Sequence, residues 1–322
     1  MNVREFLDGC DVAQALLVRE AEPRSRRDGG EFLRLTLGDR TGSVPAVIWE
    51  GVPEARQLCG AGEIVFVSGR YNVHPRFGPQ LTIQTLRSAE DHEYTRDDLL
   101  DGPPRKPQQM ESDLRELVAT VQNPHLRRLL SATFGPGSTT WASYREAPAA
   151  KRYHQAYRHG LLEHSLTVAQ AVSAISATFP GIDRDIAVTG ALLHDIGKLD
   201  AYDYQGDAIS MSDEGRLFGE IPIGYYLVRR TIEELGGFPT DLAQAVLHII
   251  LSHHGSLEHG SPVVPCTREA TLVHMIDNLG GRLGSFDRLE KELPAGEQWS
   301  GFDKALGSGA YFAGRAETPQ AA

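Results

Sequence analysis

The chain has 322 residues, of which 41% are hydrophobic and 23% charged, and its formal net charge is −11. These values fit a globular protein of about two domains and exclude a disordered chain, a collagen-like repeat and a disulfide scaffold. The negative balance argues against a grip on nucleic acid by bulk positive charge, so such a partner would have to meet a local surface or a bound metal.

The opening segment, MNVREFLDGCDV, carries acidic residues and no apolar run. It predicts no signal peptide, and no later stretch reaches the ~18 apolar residues of a membrane span. Cys10, Cys59 and Cys266 lack the short spacing of a zinc site or a disulfide framework. They predict three reduced thiols in a cytoplasmic protein with no membrane partner.

Residues 1–90 hold 11 basic residues, all Arg, against 12 acidic ones, so most of the negative charge lies further on. Five β-rich runs are predicted here, at 12–20, 31–40, 43–49, 63–73 and 79–89, divided by polar, Gly- or Pro-containing turns. In the second run Leu33, Leu35 and Leu37 share one face, and Phe32, Arg34 and Thr36 the other. Asp39 to Gly42 reads as a turn between strands. Five short strands in 90 residues predict a small all-β barrel or sandwich.

The string LRLTLGDRTGSVPAVIWEG resembles the strand–turn–strand unit of an OB-fold. That resemblance implies capture of single-stranded nucleic acid by stacked aromatics and basic side chains. The candidates are Phe32, Trp49, Tyr71 and Phe77, interleaved with Arg34, Arg70 and Arg76. For each aromatic the competing role is to fill the barrel core.

Residues 91–112 are polar, Pro-rich and aperiodic, and read as a linker, with a helix starting near Glu111. Residues 113–310 are expected to form an all-α domain. Its helices are predicted over 160–179, 183–199, 218–237, 239–255 and 266–283, with Asp183 and Thr267 at N-cap positions. The end of the chain, after about Gly307, is expected to fray, with 311–322 a flexible tail.

Nine of the 12 histidines lie between 154 and 274. His164, His194-Asp195, His253-His254 and Asp277 sit on or at the ends of predicted helices. Helices that turn His and carboxylate side chains inward can build a two-metal site. His248 and His274 have apolar neighbours and read as structural. His154, His159 and His259 could line a substrate path, with His159 a candidate RNA contact. Arg152 and Arg158 read first as a solvated face.

The strings GLLEHSLTV, ALLHDIGKL, ILSHHGSLEHGSPVVP and LVHMIDNLGG resemble the HD phosphohydrolase superfamily. With the OB-like segment ahead of them, they resemble the YhaM family of 3′→5′ exoribonucleases, over roughly residues 1–310. The resemblance implies that His164, His194, Asp195 and Asp277 hold one divalent metal. Asp195 would bridge to a second, held also by His253 and His254, and Lys198 would hold the substrate phosphate. Asp195 and Lys198 would then be the catalytic pair. Mn²⁺ is the expected metal, with Mg²⁺, Co²⁺ and Fe²⁺ as alternatives.

The implied reaction is hydrolysis of single-stranded RNA from its 3′ end to nucleoside 5′-monophosphates. Single-stranded DNA is a second candidate substrate, and a homo-oligomer stays open. The chain departs from the family at Glu220, where His is usual; the carboxylate is expected to serve as a harder ligand of the second metal, and the alternative is a weakened second metal with reduced activity. Two rival readings stay open as well. One is an HD hydrolase of free or cyclic nucleotides, and the other is an RNA-binding protein whose HD site has decayed.

Overall fold

A computed structural model describes residues 1–26, 29–74, 78–100, 102–151, 155–204, 209–293 and 297–313. Five strands close a barrel: β1 (Asp11–Ser25), β2 (Glu31–Asp39), β3 (Gly42–Ile48), β4 (Ile64–His74) and β5 (Gly78–Ser88). Their order around the barrel is β1-β2-β3-β5-β4, with β1 pairing β4 to close it. β3 and β5 run parallel and the other pairs antiparallel. This is the five-stranded OB-fold arrangement.

The alternation in β2 places Leu33, Leu35 and Leu37 in the interior with no exposure, beside Leu16, Val18, Val65, Val67 and Leu81. Arg34 is exposed and Phe32 and Thr36 are half-buried on the other face. The β2–β3 turn is tied by the Asp39 carboxylate, which accepts from the backbone N–H groups of Val3, Thr41 and Gly42.

Two features of this half differ from the sequence reading. β1 runs on to Ser25 because its second half pairs with β2 from Ala21–Leu35 to Ser25–Glu31. A short helix, α1 (Val52–Leu58), packs Val52 and Ala55 into the barrel core. Only two of its residues are buried, too few to give a helical period in the sequence.

The segment read as a linker is partly structured. Asp91–Glu93 is a 3₁₀ turn and α2 (Arg96–Leu99) buries Leu99 against Ala15 and Leu17 on the outside of the barrel. The next helix, α3 (Pro107–Ala119), starts four residues before Glu111, because Pro107 suits the first helical turn, where an N–H has no partner.

The second half is built from α4 (Pro124–Phe134), α5 (Trp141–Glu146), α6 (Gly160–Ser176), α7 (Arg184–Leu193), α8 (Lys198–Ala201), α9 (Asp213–Phe218), α10 (Glu220–Leu235), α11 (Thr240–Ser252) and α12 (Arg268–Glu292). A two-stranded hairpin, β6 (Tyr202–Asp203) and β7 (Ser210–Met211), interrupts the helices. Asp183 caps α7 through Ile186 N–H, and Thr267 caps α12 through Ala270 N–H.

α6 and α7 form the middle of the bundle, with α11 and α12 packed on them around Leu162, Leu166, Val188, Leu192, Ile249, Ile250 and Val273. Gly190 lets α7 and α11 approach closely, since a Cβ there would lie 2.3 Å from the Ile249 side chain. The end of the chain is packed over its described part, and residues 314–322 of the expected tail lie outside the described residues. Ala310 and Phe312 bury against Leu289, and Ser300 and Ala310 share backbone and side-chain hydrogen bonds. Among the described residues no helix is long and apolar enough to cross a membrane.

Candidate metal centre

Two helices end in the same way. His194 is the C-cap of α7 and His253 the C-cap of α11. The last carbonyls of a helix have no partner within it. The Nδ1–H of His194 donates to Ala191 O at 2.7 Å, and that of His253 to Ile250 O at 2.8 Å. A carbonyl can only accept, so Nδ1 carries the proton and each Nε2 is turned inward as a free donor atom. The negative ends of both helix dipoles also face the centre, which favours a cation there.

Two further imidazoles follow the same logic. His254 Nδ1–H donates to His259 O at 2.9 Å, and His164, within the second turn of α6, donates Nδ1–H to Gln155 Oε1 at 3.0 Å. His164 Nε2 lies 3.1 Å from His194 Nε2, 3.3 Å from Asp195 Oδ2 and 3.1 Å from Asp277 Oδ1. His194 Nε2 is 3.4 Å from Asp195 Oδ2 and 3.8 Å from Asp277 Oδ1. The other oxygen of Asp195, Oδ1, faces His253 Nε2 at 3.4 Å.

The donor atoms form three overlapping groups, each with its ligand atoms within 4.8 Å of one another: His164, His194 and Asp195; His194, His253 and Asp277; and Asp195, His253 and His254. With the contacts of His164 and His194 to Asp277, they can be divided into a first set of His164, His194, Asp195 and Asp277 and a second of Asp195, His253 and His254. Asp195 Oδ1 and His253 Nε2 are both buried and have no hydrogen bond. Buried polar atoms without partners are rare in folded proteins. An imidazole nitrogen and a carboxylate oxygen aimed at one point suit a divalent cation of the first transition row.

The protein's own charges hold the site in tension. Burial opposes a charge on His164, but Asp195 and Asp277 outweigh it and raise its pKa to about 9. Burial likewise opposes ionisation of Asp195, yet Lys198 and His194 hold its carboxyl well below the usual range. Asp277 is lowered too, against its burial, chiefly by His164. His254 is pushed down by burial and by His253. A cation would take the place of the proton on His164.

Lys198 Nζ donates to Asp195 Oδ2 at 2.6 Å, one turn along the chain. Glu220 opens α10, and its Oε1 is 3.8 Å from His254 Nε2, at the outer side of the second set. What brings α10 there is Gly197, whose absent Cβ would lie 1.9 Å from Glu220 O and 2.5 Å from Gly224 N.

The remaining histidines lie outside both sets. His274 donates Nδ1–H to His253 O at 2.7 Å, and Gly255, with φ of +81°, leaves room for its ring. His248 Nε2 accepts from Cys266 N at 2.8 Å. His259 contributes its carbonyl to His254. His159 has φ of +70° and donates Nδ1–H to Arg145 O at 2.7 Å, while Arg158 pairs with Glu146. Arg152 and His154 lie outside the described residues. Gln155 was not legible as part of the site, because its link to His164 depends on a left-handed backbone, φ +58°, that no spacing reveals.

On the barrel, Phe32 and Trp49 stack with ring centroids 4.8 Å apart, and Trp49 is 43% exposed. The guanidinium of Arg26, which the sequence did not single out, lies 4.9 Å over the Trp49 ring and donates to Trp49 O. Arg34 is exposed on the same parity of β2 as Phe32. Arg70 and Tyr71 are not brought to this patch: they sit on β4, two strands round the barrel from β3. Arg70 pairs with Asp11 at 2.9 Å, and the Tyr71 ring packs edge-on against Phe6. Arg76 and Phe77 lie outside the described residues.

The HD domain family matches residues 161–281, which contain every ligand candidate. The 3′-5′ exoribonuclease YhaM of Geobacillus sp. (strain WCH70) is 31% identical over 292 residues, 90% of this chain and 88% of that protein. The 3′-5′ exoribonuclease YhaM of Bacillus pumilus (strain SAFR-032) is 30% identical over 291 residues, 90% of both chains. Among solved structures, the second OB-fold domain of replication protein A from Methanococcus maripaludis matches 28% of this chain and 95% of its own, at 23% identity and a TM-score of 0.24.

Proposed function

The chain belongs to the YhaM family of 3′-5′ exoribonucleases, and from that premise we propose that it hydrolyses single-stranded RNA from the 3′ end, releasing nucleoside 5′-monophosphates. The observation that carries this reading is Asp195, buried between two sets of inward-facing Nε2 atoms with one carboxylate oxygen toward each. His164, His194, Asp195 and Asp277 would hold one divalent cation, and Asp195, His253 and His254, with Glu220 beside them, a second. Two such cations, Mn²⁺ foremost, would activate a water and stabilise the leaving oxygen of an in-line displacement.

The chain's own groups do the rest. Lys198 is a half-buried ammonium kept charged by Asp195 against the cost of burial, and it offers a point charge to a phosphate oxygen. The Nδ1 hydrogen bonds hold four imidazoles in a single tautomer, so no ring has to turn when substrate arrives. Phe32 and Trp49 give bases a stacking surface, and Arg26 and Arg34 meet the backbone phosphates beside it. Stacking and phosphate contacts carry little sequence preference, and single-stranded DNA would fit the same surface.

Incubating the purified protein with Mn²⁺ and 5′-labelled single-stranded RNA tests the reading. A descending ladder with mononucleotide product supports it. Binding without cleavage, or cleavage of free nucleotides alone, overturns it.

A further inference from the structure

Three of the four site imidazoles are oriented by backbone carbonyls: His194 by Ala191, His253 by Ile250, and His254 by His259. His164 alone is held by a side chain, Gln155 Oε1, 3.0 Å from its Nδ1. The Ala191 and Ile250 carbonyls belong to α7 and α11, the helices that carry His194 and His253, and move with them, while His259 lies in the 3₁₀ turn Leu257–His259. The Gln155 amide does not move with α6, because it belongs to the segment between α5 and α6.

That segment is pinned at several points. Ala149 N–H donates to Gln155 O at 3.1 Å, Leu161 N–H to Ala147 O at 2.9 Å, and His159 N–H to Glu146 O at 3.1 Å. Gly160 allows the closure, since a Cβ there would lie 2.0 Å from Gln155 O. Gln155 itself sits at φ +58°, a conformation that costs a residue with a Cβ about 1–2 kcal/mol. Backbone strain of this kind persists where the surroundings over-determine it. Two non-glycine residues among those described have positive φ, Gln155 and His159, and the first is the one whose amide reaches a site imidazole.

We propose that Gln155 is a positioning residue: its side-chain carbonyl holds Nδ1–H of His164 and aims the Nε2 lone pair into the first donor set. The affinity of the first cation then depends on how Ala147, Ala149 and Gly160 hold Gln155 in place. Partners that orient a ligating imidazole tune metal affinity by about 10- to 100-fold. This inference rests on the two-cation reading of the site.

The test is titration of the metal-free full-length protein with Mn²⁺, reading free Mn²⁺ by electron paramagnetic resonance. Gln155→Gly removes the acceptor and relieves the left-handed backbone. It is expected to weaken one of two Mn²⁺ binding steps about 10- to 100-fold while the metal-free melting temperature holds or rises. Gln155→Glu keeps an acceptor in the same place and is expected to bind at least as tightly as the wild type. Wild-type affinity in Gln155→Gly overturns the proposal. So does an equal loss in Gln155→Glu, or a loss that only tracks a fall in metal-free stability. A wild-type protein that binds no Mn²⁺ would instead overturn the two-cation reading beneath it.

Discussion

Asp195 Oδ1 and His253 Nε2 face each other across 3.4 Å, both buried, and neither has a hydrogen bond. His253 already donates its Nδ1–H to Ile250 O, so the pair is two acceptors with no donor between them. Each such orphan costs about 1–3 kcal/mol, a cost a bound cation removes. Metal loading should therefore raise the melting temperature of the wild type, and chelation should reverse the gain. Asp195→Ala should abolish hydrolysis and lower bound metal, measured by elemental analysis, while RNA affinity survives on the barrel. Turnover in that variant would show the site to be elsewhere.

The pKa of His164, raised to about 9, gives a second expectation. A group raised above its unfolded value adds stability that is complete below that value and is lost as pH rises through the folded one. In the metal-free protein this contribution is present below about pH 6.5 and fades toward pH 9. Asp195 and Asp277 are lowered, so their contributions are lost only under acid, below the usual carboxylate range. The metal-free melting temperature should therefore fall from pH 6.5 to 9, and His164→Gln should flatten the slope. Calorimetry in buffers of different ionisation enthalpy should also show that Mn²⁺ uptake at neutral pH releases a proton.

Glu220 stands 3.8 Å from His254 Nε2, where a ligand of the second cation would be needed. Glu220→Ala should weaken the second Mn²⁺ step about 10- to 100-fold and lower activity. Glu220→His should keep metal binding and shift preference away from the harder Mg²⁺. Complete loss of binding in Glu220→His, read by the same titration, would mean that Glu220 belongs to a different design.

Trp49 is 43% exposed with one face on Phe32, so its removal should leave the barrel folded. Stacking on an aromatic is worth about 1–3 kcal/mol per base. Trp49→Ala should weaken RNA binding accordingly, by fluorescence anisotropy, and spare cleavage of a minimal dinucleotide. Tyr71→Ala, by contrast, should cost stability first, because that ring packs on Phe6 and the barrel core. Equal loss on long and minimal substrates in Trp49→Ala would remove the capture role.

How legible each part was follows from where its cause lies. The barrel could be read because Leu33, Leu35 and Leu37 alternate with outward residues, which is a local pattern. The His194-Asp195 and His253-His254 pairs could be read because each follows the last turn of a helix, so chain neighbours become site neighbours. α1 could not, because only Val52 and Ala55 are buried and seven residues carry no period. Arg26 and Gln155 act through folding alone: one crosses from just after the end of β1 to the Trp49 ring, the other reaches nine residues along the chain through a left-handed turn.

Gly197 gives the last expectation, and it concerns how the second donor set is assembled. The glycine sits between Asp195 and Lys198, and the start of α10 rests directly on it: an added Cβ would be 1.9 Å from Glu220 O and 2.5 Å from Gly224 N. Both are backbone atoms, so neither can turn aside as a side chain would. Gly224 shows the reverse of the same contact, with Gly197 N 3.1 Å from its own absent Cβ. Gly197→Ala must therefore push α10 outward, at about 1–3 kcal/mol for the overpacking. The displaced helix carries Glu220 away from His254, while His164, His194 and Asp277 come from α6, α7 and α12 and keep their places. The expected result is a lower melting temperature together with selective weakening of the second Mn²⁺ step. Equal weakening of both steps would mean that the substitution disturbs the Asp195 turn itself rather than the seat of α10.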